Sequence, residues 1–311
     1  MSRNIFYLAP LRGVTDYIFR NAFETHFGRF DYLLTPFIPT VKGIVVNPSH
    51  IKDIALEHND PVRVIPQIIG NNADDIIMLA RHLYSMGYSS VNLNMGCPHP
   101  QITRKKRGSG MLPYPDFIDA MLSKIYSSIT QPFSVKVRLG LESVDEFCQV
   151  IPVLNKYPIH EITIHPRTGA QMYDGTVDLD AFDKYYRCLK HTICYNGDIW
   201  SKHVFDTYQR RFDTVNRWML GRGVTQDPFM LEELRSGVVV KRDLATVRSF
   251  HDEIFNRSRE RLCGPAHLLG KMKELWAYIA NLFDDPHKVL KSVQKQSSID
   301  GYIGVVDRIF G

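Results

Sequence analysis

A chain of 311 residues that is 44% hydrophobic and 23% charged has the apolar content of a true core and the length of one large α/β barrel with a modest second domain, or of two ordinary domains. Its net charge of +5 permits an anionic partner such as RNA without demanding one. Five cysteines with no Cys-x-x-Cys argue against a disulfide scaffold, no run approaches the ~20 apolar residues that span a bilayer, and the first residues carry no signal-peptide core, so a soluble, cytoplasmic protein without membrane contact is expected.

Eight short apolar or β-branched runs follow one another: Ile5–Ala9, Tyr32–Thr35, Val64–Ile68, Val91–Asn94, Ser134–Leu139, Glu161–His165, Ile193–Asn196 and Trp218–Gly221. Helix-compatible stretches lie between them: Asp16–Phe27, Ala73–Met86, Phe117–Ser127, Val144–Leu154, Phe182–Leu189, Lys202–Arg210 and, after the last run, Phe229–Arg235. A long loop, Pro36–Asp60, replaces the second helix. Strands alternating with helices imply parallel βαβ crossovers, and eight such units match a closed (β/α)8 TIM barrel. A doubly wound open sheet is the competing architecture. From Arg242 the strand-like runs stop. Leu244–Leu262 reads as an amphipathic helix, Gly264-Pro265 breaks it, a second helix runs to about Phe283, and Lys288–Lys295 continues after Asp284-Asp285-Pro286. The expected domains are therefore a barrel over 1–238 and an all-helical domain over 242–311.

Alternation along the strands picks out chemistry. Lys136 and Arg138 share one face of their run, Asn92 and Asn94 another, and Thr163 and His165 a third. Gln67, Asn94, Lys136, His165 and Asn196 are then expected near C-terminal strand ends, where barrel enzymes build their sites. Asn196-Gly197-Asp198 follows the seventh run and Gly221-Arg222-Gly223 the eighth, the two loops that commonly hold a phosphate in this architecture. Backbone N–H groups and Arg222 would supply the contacts, with the Asp198 side chain capping the next helix. Cys97 lies just past the fourth strand, between Gly96 and Pro98. A cysteine thiol ordinarily titrates near about 8.5, so one placed at the barrel mouth suits proton donation. Cys188, His191 and Cys194 lack an obvious fourth ligand, and no metal is expected. The basic run Arg104-Lys105-Lys106-Arg107 beside Gly108-Ser109-Gly110 suits phosphate contacts or a mobile lid.

Seven segments taken together resemble the tRNA-dihydrouridine synthases. They are Leu8-Ala9-Pro10-Leu11-Arg12-Gly13-Val14-Thr15-Asp16, Pro66-Gln67-Ile68-Ile69-Gly70, Asn92-Leu93-Asn94-Met95-Gly96-Cys97-Pro98, Lys136-Val137-Arg138-Leu139-Gly140, His165-Pro166-Arg167-Thr168, Asn196-Gly197-Asp198 and Gly221-Arg222-Gly223. The resemblance implies an FMN-binding barrel and a helical tRNA-binding domain. It implies that NADPH reduces FMN, that hydride passes to C6 of a uracil, and that Cys97 protonates C5. Pro10, Leu11, Arg12, Gln67, Lys136, His165, Asn196, Gly197, Asp198, Gly221 and Arg222 would hold the cofactor. Asn94 would touch the target nucleotide, and Arg138, Arg167, Lys105, Lys106, Lys271 and Lys273 are expected on the tRNA side of a monomeric enzyme. Two departures stand out: Leu11 where the family usually has Met, and Thr35-Pro36-Phe37 where it often has Thr-Glu and an apolar residue. A flavin barrel acting on a free pyrimidine, such as dihydroorotate, is the alternative function, and a non-catalytic RNA-binding barrel a third.

Overall fold

The computed structural model describes residues 3–43, 46 and 48–311. Residues 44, 45 and 47 of the expected Pro36–Asp60 loop lie outside them. Among the described residues there are ten strands: β1 (Ile5–Leu8), β2 (Tyr32–Leu34), β3 (Ile38–Pro39), β4 (Val64–Ile65), β5 (Gln67–Ile69), β6 (Val91–Met95), β7 (Phe133–Gly140), β8 (Ile162–Thr168), β9 (Ile193–Tyr195) and β10 (Arg217–Leu220). They form one sheet in the order β3-β5-β6-β7-β8-β9-β10-β1-β2-β4, and every pair is parallel.

The two ends of that order are the same stretches of chain. β2 and β3 are halves of one strand, and β4 and β5 are halves of the next. The second break falls at Pro66, which has no N–H for a ladder. β4 pairs with β2, while β5 pairs with both β3 and β6. The bonds Leu33 N–H to Arg63 O (3.0 Å), Thr35 N–H to Ile65 O (3.1 Å) and Thr40 N–H to Ile69 O (2.9 Å) stitch the seam. The ladder therefore closes on itself as eight parallel strands, a (β/α)8 barrel.

The chain forms two compact units that do not follow a single cut. The first comprises the segment ending at Pro10, Asp31–Asp198 and Tyr208–Leu220; the second comprises Leu11–Phe30, Ile199–Thr207 and Gly221–Gly311. The first unit holds the whole sheet. Its barrel interior is filled by Tyr7, Ala9, Leu34, Ile65, Cys194 and Met219. Near the N-terminal strand ends, Glu161 accepts hydrogen bonds from Tyr7 Oη (2.7 Å) and Arg217 (2.8 Å). Burial pushes the Glu161 carboxyl up, and Tyr7 and Arg217 pull it back. Helices Ala73–Ser85, Pro115–Tyr126, Glu146–Leu154 and Leu179–Tyr186 belong to this unit. The last starts three residues before its expected position, because Asp178 caps it by accepting from Ala181 N–H at 2.8 Å.

The second unit contains the expected helices as Leu244–Arg261, Pro265–Ile279 and Pro286–Gln294, together with Tyr17–Phe27 and Met230–Ser236. A further helix, Ile299–Phe310, passed unnoticed in the sequence; Ser298 caps it. Phe250 packs against Phe19, Phe23 and Phe27 at 5.5, 6.4 and 5.1 Å between ring centroids. Tyr302 Oη meets Trp276 Nε1 at 2.9 Å and His251 Nε2 at 2.5 Å, tying three helices through buried side chains. Each such aromatic contributes roughly 1.5–3 kcal/mol through burial. No described helix is long and apolar enough to cross a membrane.

Candidate active site

The site grows from the end of β6. The N–H groups of Gly96 and Cys97 both donate to Asn94 Oδ1, at 3.0 and 2.8 Å. That identifies the amide oxygen, and the rest follows in sequence. Asn94 Nδ2 donates to Gln67 Oε1, Gln67 Nε2 to Asn92 Oδ1, and Asn92 Nδ2 to Ser134 Oγ, each at 2.8 Å. Ser134 Oγ ends the chain on Val91 O at 3.3 Å. All four side chains are buried. A buried polar chain satisfied at each step is rigid, so it anchors the backbone of Cys97. Gln67, 0% exposed, and Asn94 were expected to touch flavin and nucleotide; the structure occupies their amides in this chain.

Cys97 is half-buried. Its carbonyl oxygen accepts from the N–H and the hydroxyl of Ser109, at 3.0 and 3.1 Å. Gly108, at φ +57, makes this closure possible: a Cβ there would lie 2.5 Å from Cys97 O. Between these anchors runs the basic segment. Arg104, Lys105 and Lys106 are exposed, and the Lys106 ammonium lies 4.0 Å from the Tyr114 ring centroid. Arg107 instead turns inward, to Asn71 Oδ1 (3.3 Å) and Thr40 O (3.4 Å), while Asn71 Nδ2 holds Lys105 O at 2.8 Å. The run therefore divides into three surface cations and one clamp.

Lys136 lies mid-strand on β7, in register with Asn94 and Thr163, and not at the strand end, because β7 continues to Gly140. Among the described residues its ammonium has no hydrogen-bond or ion-pair partner. Desolvation pushes its pKa down to about 7, the Arg138 charge adds to that, and the Cys194 and Cys97 thiols oppose it. Arg138 is buried, donates to Thr168 O at 2.6 Å, and lies 5.3 Å from the Tyr173 ring centroid. Burial pushes its pKa down to about 10.

Arg167 and Arg138, both expected on the tRNA side, are buried and make contacts within the protein. Arg167 is buried and bonds Asp198 at 3.0 and 2.6 Å, Gly175 O at 2.6 Å, Asp174 O at 3.3 Å and His165 Nε2 at 3.1 Å. The Asp198 carboxylate is thereby the counter-charge of a buried arginine, and at the start of the next helix it is Ser201 Oγ that accepts from Val204 N–H, at 3.3 Å. Tyr173, 50% exposed and 6.5 Å from His165 between ring centroids, went unrecognised in the sequence. Asn196 Nδ2 donates to Met219 O at 2.9 Å, bridging β9 and β10. Pro10 and Asn196 are partly exposed.

In the second unit, Arg222 lies with its guanidinium 4.9 Å from the indole centroid of the exposed Trp200. Gly223 packs on Ile199, where a Cβ would come within 2.0 Å of the carbonyl oxygen. Leu11 N–H donates to Thr15 Oγ1 at 2.8 Å, and Arg12 is exposed. Lys271, expected on the tRNA side, lies in this unit. Its ammonium pairs with Asp16 at 2.8 Å and donates to Gly13 O and Val14 O at 3.1 and 3.2 Å, with 11% of the side chain exposed. It fastens the loop that carries these carbonyls. Lys273 is half-buried.

The donor set of the first unit is cationic. Its carboxylate, Asp198, is neutralised by Arg167, and Lys136 is a desolvated ammonium without a partner. Such a set fits an anionic, oxygen-rich ligand such as a flavin nucleotide. Among the described residues no group of three or more His, Cys, Asp or Glu is gathered to hold a metal.

A family model described as Dihydrouridine synthase (Dus) matches residues 7–285. The tRNA-dihydrouridine synthase B of Pasteurella multocida is 28% identical over 247 residues, 75% of this chain and 70% of that protein. Its counterpart in Yersinia pestis is 27% identical over 174 residues, 54% of this chain and about half, 53%, of that protein. The Salmonella typhimurium protein of the same name is 28% identical over 271 residues, 80% and 81% of the two chains. Among solved structures, morphinone reductase in complex with tetrahydroNAD superposes with a TM-score of 0.53 at 8% identity, over 78% of this chain and 89% of that one, a likeness of fold alone.

Proposed function

This chain is an oxidoreductase of the dihydrouridine synthase family, and from that premise we propose that it reduces a uridine of tRNA to 5,6-dihydrouridine with FMN as cofactor, NADPH as reductant and Cys97 as proton donor. The observation that carries this reading is the placement of Cys97. Its thiol is half-buried at the end of β6, its backbone is anchored by Asn94 on one side and Ser109 on the other, and both Lys136 and Arg138 feel it electrostatically.

Bound FMN would supply hydride to C6 of the uracil and recover its electrons from NADPH. The chain does the rest. Cys97 Sγ–H donates its proton to C5, a task that needs an acid neutral near pH 7. Lys136 gives the cofactor a partner for negative charge, which returns its ammonium to the protonated state. His165 faces the same ligand. Pro10, Asn196, Gly197 and Asp198 are assigned to the cofactor by their family motifs. A uridine stacked in folded RNA must be extruded to react, at roughly a few kcal/mol. Arg104, Lys105 and Lys106 provide offsetting phosphate contacts, and the half-exposed ring of Tyr173 offers a face on which an extruded base can stack.

The test is direct. Purified protein should absorb near about 450 nm, as flavins do, and should convert uridine to dihydrouridine in tRNA when given NADPH. Mapping dihydrouridine in tRNA from cells lacking the protein identifies the position. NADPH-driven reduction of free uracil or oxidation of free dihydroorotate, with no product in tRNA, would instead favour a small-molecule flavin barrel.

A further inference from the structure

Arg167 and His165 lie two residues apart on β8, so they share a face, and both are buried. Arg167 Nη1 is 3.1 Å from His165 Nε2. A guanidinium carries donors only and keeps its charge in proteins. The imidazole nitrogen must therefore be the acceptor in this bond, and an accepting Nε2 carries no proton. A neutral ring then holds its single proton on Nδ1. Protonation of Nε2 would both break the bond and place a second cation against the guanidinium, an arrangement that like-charge repulsion disfavours.

The guanidinium is not free to turn aside. Asp198 takes Nη1 and Nη2 at 3.0 and 2.6 Å, Gly175 O takes Nη2 at 2.6 Å, and Asp174 O takes Nε at 3.3 Å. Asp198 itself adopts φ +43, a backbone conformation uncommon for a residue with a side chain, and from there its carboxylate bonds Arg167. We propose that Arg167, braced by Asp198, is a positioning residue that holds His165 as the neutral tautomer with its proton on Nδ1, so that Nδ1–H is the ring's one donor and any polar atom bound to it must be an acceptor. The tautomer follows from the geometry whatever the enzyme reduces; its use toward the cofactor rests on the proposed function.

The tautomer can be read without turnover. In full-length protein labelled with 15N-histidine, long-range proton–nitrogen correlation spectra at pH 7 distinguish protonated from unprotonated ring nitrogens, and His165→Gln identifies the signal by its loss. The expected spectrum shows His165 protonated at Nδ1 and unprotonated at Nε2. Arg167→Lys should preserve it, because an ammonium also only donates. Arg167→Met combined with Asp198→Asn, which leaves no buried unpaired charge, should lose a bias of roughly tenfold or more and show both tautomers. A proton on Nε2 in the unaltered protein, or an unchanged tautomer in the double variant, overturns the proposal. The first of these needs no variant to fold, and neither depends on activity toward tRNA.

Discussion

The carbonyl oxygen of Cys97 accepts two hydrogen bonds from a single residue, Ser109, through its N–H at 3.0 Å and its hydroxyl at 3.1 Å. The segment between them, which carries three exposed cations, is thus tied at its base to the residue that presents the thiol. The sequence left open whether this segment is a lid; the bonds at its base make it an arm fastened to the proposed acid. Contacts that the arm makes with RNA phosphates can act on Cys97 through that knot.

Ser109→Ala should remove the hydroxyl bond and loosen the Cys97 turn by roughly 0.5–1.5 kcal/mol. The expected outcome is a kcat on tRNA lowered several-fold with little change in KM, and faster alkylation of Cys97 by iodoacetamide. Gly108→Ala should be far worse, since φ +57 and a Cβ 2.5 Å from Cys97 O both oppose it. Equal kcat in all three proteins would contradict the role of the knot.

Lys136 predicts a pH effect on the flavin-free protein. Its folded pKa, about 7, lies below the ordinary 10.5. Between those values the unfolded chain binds more protons than the folded one, so this group's contribution to stability grows as pH rises from about 7 toward 10.5 and is lost as pH falls through 7. Lys136→Met should therefore stabilise flavin-free protein near neutral pH by on the order of 1 kcal/mol or more, seen as a higher melting temperature, flatten that pH dependence and weaken FMN retention. A variant that melts lower and keeps its flavin would count against both the desolvated charge and its assignment.

Two sets of lysines should separate by assay. Lys105→Ala with Lys106→Ala should weaken tRNA binding and reduce the slope of log affinity against log salt by roughly 1–2, leaving thermal stability within about 0.5 kcal/mol. Lys271→Ala should instead lower stability, because Asp16 and two backbone carbonyls lose a donor, by roughly 1–3 kcal/mol. Reversed phenotypes would restore Lys271 to the RNA surface.

Much of the fold was legible because strand and helix periods differ. All eight strand-like runs became strands, and the alternation that put Gln67, Asn94, Lys136 and His165 on inner faces is a local property of a pleated chain. The split of the third strand at Pro66 and the helix Ile299–Phe310 were not read; Gly301 and Gly304 dilute the helical signal there. The site was legible in residue type and not in partnership. Arg167, Arg138 and Lys271 were expected on the tRNA side. Each is committed to an acceptor supplied by another segment, Asp198, Thr168 and Asp16 respectively, and nothing in local pattern encodes a partner that tertiary folding delivers. Ser109 escaped for the same reason: its function lies in reaching back to Cys97.

The central claim is that Cys97 is the proton donor, and single-turnover reduction of tRNA by pre-reduced Cys97→Ala protein tests it most directly. Flavin binding and NADPH oxidation should be retained, while the dihydrouridine-forming step should slow by roughly 10²–10⁴-fold, the usual share of a general acid. Dihydrouridine formed at the rate of the unaltered protein would contradict the account.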